Sequence, residues 1–126
     1  VPWVIGIGTD LVDIDRMRDV LTRTPGMVDR LFCPAEQAYA ETSADPARPY
    51  AARFAAKEAV LKSLGLGLGG MRFSEIEVVR FPDGHPELVL HGEAANVAKT
   101  HGVARFLISL SHTDTLAQAM VVALAS

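Results

Sequence analysis

Three alanines four residues apart, Ala51, Ala55 and Ala59, restrict how this chain folds more than any other feature. Residues at that spacing share one face of a helix, and a face that ends at a methyl group lets another backbone come close. The helix carrying them is expected from about Tyr50 to Leu64. It runs into a loop with four glycines in six positions, Gly65-Leu66-Gly67-Leu68-Gly69-Gly70. The same spacing places Phe54, Glu58 and Lys62 in one stripe, with Arg53 and Lys57 in a basic stripe beside it. A carboxylate near three cations, followed by a loop whose amides can turn towards a ligand, suits a phosphorylated molecule carrying a divalent metal. No Gly-Lys-Ser/Thr follows the first glycine at the Walker A distance. A plainer reading also fits: Glu58 and Lys62 as a surface ion pair worth ~0.3–0.5 kcal/mol, and glycines that only end the helix.

A second signal lies near the start of the chain. Val4 to Val12, Val-Ile-Gly-Ile-Gly-Thr-Asp-Leu-Val, reads as a strand apolar on both faces, hence central in a sheet or at an interface. Alternation puts Gly6, Gly8 and Asp10 on one side. Two residues without side chains leave room there for a ligand or another backbone. An isolated carboxylate in such a run costs several kcal/mol unless it is paired or holds a metal. The alternatives for Asp10 are a helix N-cap or an arginine partner.

The remaining elements alternate helix and strand. Asp13 to Thr24 carries Ile14, Met17 and Leu21 at helical spacing and ends at Thr24-Pro25-Gly26. Its arginines, Arg16, Arg18 and Arg23, read as a solvated surface unless a partner is named. Met27 to Phe32 adds a turn or two. Cys33-Pro34-Ala35-Glu36 opens a helix with proline at the first position, running to about Thr42, and residues 42–49 form a loop. Arg72 to Phe81 and Glu87 to His91 form a hairpin around Pro82-Asp83-Gly84-His85-Pro86. Gly92 to His101 is a short helix stopped by Gly102. Ala104 to Ser111 and Ala117 to Leu124 are two more strands. His112 stands at a strand end, where a histidine is more often a hydrogen-bonded structural residue than a catalyst.

A chain of 126 residues without repeat or linker suits a single domain, 1–126. With 49% hydrophobic and 21% charged residues, composition gives no case for disorder. A net charge of -3 argues against general nucleic-acid binding, which needs a basic face. The single cysteine, Cys33, cannot form an internal disulfide or build a zinc site alone. The apolar run from Val1 to Ile7 is interrupted by Asp10, Asp13 and Asp15 before it could span a bilayer. The chain therefore reads as cytoplasmic, with no membrane contact.

Three segments together resemble one family. They are Ile5-Gly6-Ile7-Gly8-Thr9-Asp10-Leu11-Val12, Arg53-Phe54-Ala55-Ala56-Lys57-Glu58-Ala59 with Lys62 and the glycines after it, and Ser109-Leu110-Ser111-His112-Thr113. In order and spacing they are similar to the small bacterial holo-[acyl-carrier-protein] synthases among the 4′-phosphopantetheinyl transferases. The resemblance implies an α+β fold, a long helix packed on an antiparallel sheet. It implies transfer of 4′-phosphopantetheine from coenzyme A to a serine of apo acyl carrier protein, with release of adenosine 3′,5′-bisphosphate. It also implies magnesium as cofactor and a homotrimer with active sites between subunits.

By the same resemblance Asp10 and Glu58 hold the metal, and Asp10, Glu58 and Lys62 are catalytic. Arg53 and His112, with Arg48 as a further candidate, approach the phosphates of the adenosine end. Lys62 and Gly65 complete the coenzyme contacts, while Asp83, Gly84 and Pro86 lie near the adenine from the adjacent chain. Arg16, Arg23 and an exposed Phe54 ring meet the acidic carrier protein. Glu58, directly or through a bound water, is the proposed base for the serine proton. Two positions depart from the family pattern: Leu107 where many relatives have histidine, and His85 where lysine or arginine is usual.

Overall fold

The computed structural model describes residues 3–126. Val1 and Pro2, which begin the first apolar run, lie outside the described residues. Strand β1 (Val4–Asp13) passes directly into helix α1 (Ile14–Arg23), with Asp13 as N-cap accepting from the Arg16 amide at 3.1 Å. Short helix α2 (Met27–Leu31) and helix α3 (Pro34–Glu41) lead to the long helix α4 (Ala47–Ser63). A 3₁₀ turn (Phe73–Glu75) precedes the hairpin of β2 (Ile76–Arg80) and β3 (Pro86–Leu90). Helix α5 (Gly92–Thr100) and strands β4 (Arg105–His112) and β5 (Leu116–Leu124) complete the chain.

The strands form two antiparallel sheets, β1-β5-β4 and β2-β3. The α+β expectation holds, and so does the long helix on an antiparallel sheet. Helix α4 is more enclosed than that phrase suggests. Tyr50, Ala51, Ala55, Ala56, Ala59, Val60 and Leu61 are all buried, so apolar residues surround most of its circumference. The inner row of β5, Ala117, Ala119, Val121 and Ala123, is fully buried, and its small side chains let α4 sit low on the sheet.

Strand β1 is an edge strand rather than a central one. Its inner face explains the glycines. A Cβ on Gly8 would stand 2.0 Å from the Ala59 carbonyl oxygen, and one on Gly6 would stand 1.8 Å from that of Ser63. Of the two uses open to this glycine face, the close neighbour is the backbone of α4. Its outer face leaves Ile5, Ile7 and Leu11 exposed, in line with Met120 of β5 and Leu107 of β4.

Two element boundaries differ from the sequence expectation for local reasons. Helix α4 starts three residues early, because Pro46 forms its N-cap and Pro49 falls in the first turn, where an amide would lack an intrahelical partner anyway. Arg48 therefore stands on the helix rather than in a loop. The first residues assigned to β2 form the 3₁₀ turn instead. There Glu75 is diverted to α5, accepting from the Ala94 amide at 3.1 Å through its side chain and from the His91 amide at 2.9 Å through its carbonyl.

Candidate active site

The glycine contact between β1 and α4 positions the site. Asp10, two residues beyond Gly8, faces α4 at the turn that carries Glu58 and Lys62. The Lys62 ammonium donates to Asp10 Oδ1 at 2.9 Å and to the Thr9 carbonyl at 3.0 Å. Asp10 thus neither caps a helix nor meets an arginine. Lys62 does not form the surface ion pair with Glu58 that the plainer reading offered, since it reaches across to the strand instead.

Asp10 and Glu58 line one pocket of about 400 Å³, together with Arg16, Met17, Met27 and Phe54. Burial pushes the Glu58 carboxyl above its ordinary range, the Asp10 charge adds to the rise, and Lys62 opposes it. Arg16 and Arg23 flank a shallow depression on α1 beside this pocket. Arg18 does not join them, because it is tied to Asp15 and, at 2.6 Å, to Asp45. Phe54 is half-buried, not exposed as expected. Its ring packs edge-on against Phe73 at 5.5 Å, so only part of it faces the pocket.

A second pocket, of about 360 Å³, gathers Arg48, Arg53 and His112 with Tyr39, Ser43 and Arg80. Arg53 is buried at 2% exposure, lies 4.3 Å from the Tyr39 ring centroid, and has an Nε with no hydrogen-bond partner among the described residues. Burial lowers its hold on its proton and the nearby Glu36 charge opposes that. A buried guanidinium with an unused donor is suited to an anion. Arg48 is restrained by Asp45 at 3.4 Å and Asp114 at 3.6 Å. Arg80 and Tyr39 were not legible in the sequence. Nothing local marks either one, and only the packing of β2 against α3 brings them to this pocket.

Of the three cations near Glu58 in sequence, only Arg53 lines either pocket, and Lys57 is turned to a different use. Lys57 and Glu36 are fully buried and paired at 2.7 Å. The ammonium also donates to the carbonyls of Ile76 and, at 2.8 Å, Phe73, and Glu36 accepts from the amides of Cys33 and Val78. Gly65 likewise lines neither pocket. It adopts φ of +68° directly after α4, so at this position the helix-ending role is the one observed.

The hairpin turn stands apart from both pockets but is linked to the second. Gly84 sits at φ of +94°, and its carbonyl accepts from Arg80 at 2.6 Å. Asp83 is held by His85, whose ring stacks on Phe81 with centroids 4.8 Å apart and reaches Glu87 at 3.1 Å. Pro86 opens onto a cleft between β3, α5 and β4 instead.

Comparison with known proteins identifies the family and the fold. The model of the 4′-phosphopantetheinyl transferase superfamily matches residues 6–121. A holo-[acyl-carrier-protein] synthase of Clavibacter michiganensis is 49% identical over 117 residues, 93% of this chain and 92% of that protein. The fold superposes on a Plasmodium yoelii acyl carrier protein synthase with ADP bound at a TM-score of 0.92 and 32% identity, covering 100% of this chain and 98% of that one. It also matches the Helicobacter pylori holo-[acyl-carrier-protein] synthase in complex with coenzyme A, with a TM-score of 0.82, 28% identity and coverage of 93% and 98%. With two carboxylates from separate elements in one pocket, and a match that spans nearly its whole length, the chain belongs to the 4′-phosphopantetheinyl transferase superfamily, in its holo-[acyl-carrier-protein] synthase family.

Proposed function

We propose that the chain transfers the 4′-phosphopantetheine arm of coenzyme A to a serine of apo acyl carrier protein, releasing adenosine 3′,5′-bisphosphate, in the service of fatty acid biosynthesis. The observation that carries this reading is the convergence of Asp10 and Glu58 on one pocket, with Lys62 against Asp10. Two carboxylates suit magnesium, which keeps most of its coordination for water and phosphate oxygens. The ammonium already held by Asp10 is a protein cation standing where such a charge is favoured, which supports the fit. When bound, magnesium neutralises the diphosphate and makes its phosphorus more open to attack.

The chain's own residues supply the rest. The serine oxygen bonds to the phosphorus bearing the pantetheine arm, and the bond from that phosphorus to the bridging oxygen breaks. Glu58 takes the serine proton, directly or through a bound water. Lys62 supplies positive charge to the departing phosphate. Arg48, Arg53 and His112, joined by Arg80, hold the phosphates of the adenosine end. Gly65 and the turn of Asp83, Gly84 and Pro86 contact the coenzyme, the turn reaching the adenine from the adjacent chain. Arg16, Arg23 and the open edge of Phe54 receive the acidic carrier protein.

Two features support a homotrimer with sites between subunits. The outer face of β1-β5-β4 exposes Ile5, Ile7, Leu11, Leu107 and Met120, a patch of the kind that another chain covers. The Asp10 pocket and the Arg53 pocket share no lining residue, so adjacent copies would each supply one end of the coenzyme site. We place the enzyme in the cytoplasm; among the described residues no helix is long and apolar enough to cross a membrane.

The test is mass spectrometry of apo acyl carrier protein after incubation with coenzyme A, magnesium and this chain. A phosphopantetheine mass increment is expected, and it disappears in Asp10→Asn and Glu58→Gln. No increment with several carrier proteins removes the assignment.

A further inference from the structure

Lys62 makes more of Asp10 than helical spacing requires. A lysine four residues after a glutamate has its easiest partner on its own helix, yet Lys62 bypasses Glu58 and donates to two oxygens of β1, on Asp10 and Thr9. The pair is asymmetric. The Lys62 side chain is 51% exposed and that of Asp10 only 18% exposed, so the ammonium can swing away without repacking while the carboxylate stays in place.

Charge counting gives this contact a consequence. Asp10, Glu58 and Lys62 together carry one net negative charge. A divalent cation entering alone would meet the ammonium at the same carboxylate, like charge against like. A diphosphate entering with the cation offers Lys62 new acceptors and removes that conflict. We propose that Lys62 is a placeholder for the metal: without coenzyme it occupies Asp10, and it is released when a diphosphate arrives, so that metal and coenzyme load as a pair. This rests on Asp10 and Glu58 being the metal carboxylates. It adds an order of binding and a second role for the lysine, that of suppressing metal uptake by the empty enzyme.

The test is titration of Mn²⁺ into the purified protein, with free Mn²⁺ followed by electron paramagnetic resonance, with and without coenzyme A. Without coenzyme, Lys62→Met is expected to bind Mn²⁺ about tenfold more tightly than the wild type, equivalent to about 1.4 kcal/mol. With coenzyme present the advantage is lost or reversed, because the ammonium now serves the diphosphate. Arg16→Gln removes one positive charge from the same pocket without removing an ion pair to either carboxylate among the described residues, so its gain should be much smaller.

Equal coenzyme-free affinity in the wild type and Lys62→Met overturns the proposal while leaving the metal site intact. An equal gain in Arg16→Gln also overturns it, by reducing the effect to net charge. Failure of every form to bind Mn²⁺ even with coenzyme, or undiminished binding by Asp10→Asn, removes the metal assignment itself and the placeholder with it.

Discussion

Lys57 and Lys62 stand five residues apart on α4, each against a carboxylate from another element, and they differ in almost everything else. Lys57 is fully buried with Glu36 and gives its hydrogens to three acceptors, so α3, α4 and the start of β2 are fastened at one point. Lys62 is half-exposed and holds a carboxylate that also lines the Glu58 pocket. A buried pair is hard to break because the partner left behind is a charge without solvent, whereas an exposed pair contributes little and is easily exchanged. The same residue type thus serves as a fastener at one position and as an exchangeable cation at the other.

The largest effect expected from this contrast is on stability. Lys57→Met should lower the unfolding free energy by about 3–5 kcal/mol by stranding Glu36, and Glu36→Gln in the same chain should recover part of that. Lys62→Met should stay within about 0.5 kcal/mol of the wild type while turnover falls by about 10²–10³-fold. Urea denaturation and carrier-protein modification assays measure the two quantities. Similar stability losses in both variants would erase the distinction.

The next effect concerns the contact that brings the second lysine to its partner. Gly8→Ala should cost about 1–3 kcal/mol by overpacking against the Ala59 carbonyl and reduce turnover by about 10²-fold as Asp10 shifts from Glu58. Gly67→Ala, with nothing among the described residues within 4 Å of the added methyl, is the control and should be near neutral. Full activity in Gly8→Ala would mean that the close approach does not position the site.

On α1 the same contrast can be sharpened with arginines. Arg18 is engaged by Asp15 and Asp45, whereas Arg16 opens onto the Asp10 pocket. Arg16→Glu is expected to raise the carrier-protein KM by about tenfold with kcat little changed, and salt should weaken the wild type more than the variant. An unchanged KM would return Arg16 to ordinary solvated surface.

The smallest effect is a conditional charge. His85 is pushed above its ordinary value by Glu87 and then Asp83, and Asp83 is held below the usual carboxylate range chiefly by the His85 amide and ring. The His85 contribution to the turn is therefore complete below the ordinary histidine value of 6.5 and fades as pH rises through the raised folded value. The Asp83 contribution is present above the unfolded carboxylate value and is lost as pH falls through the depressed folded one. An NMR titration should place the His85 midpoint above 6.5, and Asp83→Asn should bring it down. A midpoint at or below 6.5 would show that the two carboxylates do not engage the ring.

Much of this was legible in the chain, and what was not has a physical reason. Alternation in β1 placed Gly6, Gly8 and Asp10 on one face because period two is unambiguous in a strand. The two lysines could not be sorted that way. They lie about 140° apart around the helix, but alanines and aliphatic residues line most of α4, so no apolar stripe indicates which lysine points inward. Glu36, the residue that decides it, lies 21 positions away on another helix. Arg80 and Tyr39 were hidden for the same reason, since their meeting beside Arg53 is set by tertiary packing alone. The exposed Phe54 ring was implied by the resemblance, and neither that nor the spacing of its stripe reveals the Phe73 ring that covers part of it.

The most direct test of the central claim, that Asp10 and Glu58 share one cation, is a crystal structure with coenzyme A and Mn²⁺ recorded at a wavelength where manganese scatters anomalously. A single anomalous peak coordinated by both carboxylates and the coenzyme diphosphate is expected, with Lys62 moved from Asp10 to a phosphate oxygen. A coenzyme bound without such a peak, or a peak touching neither carboxylate, would contradict it.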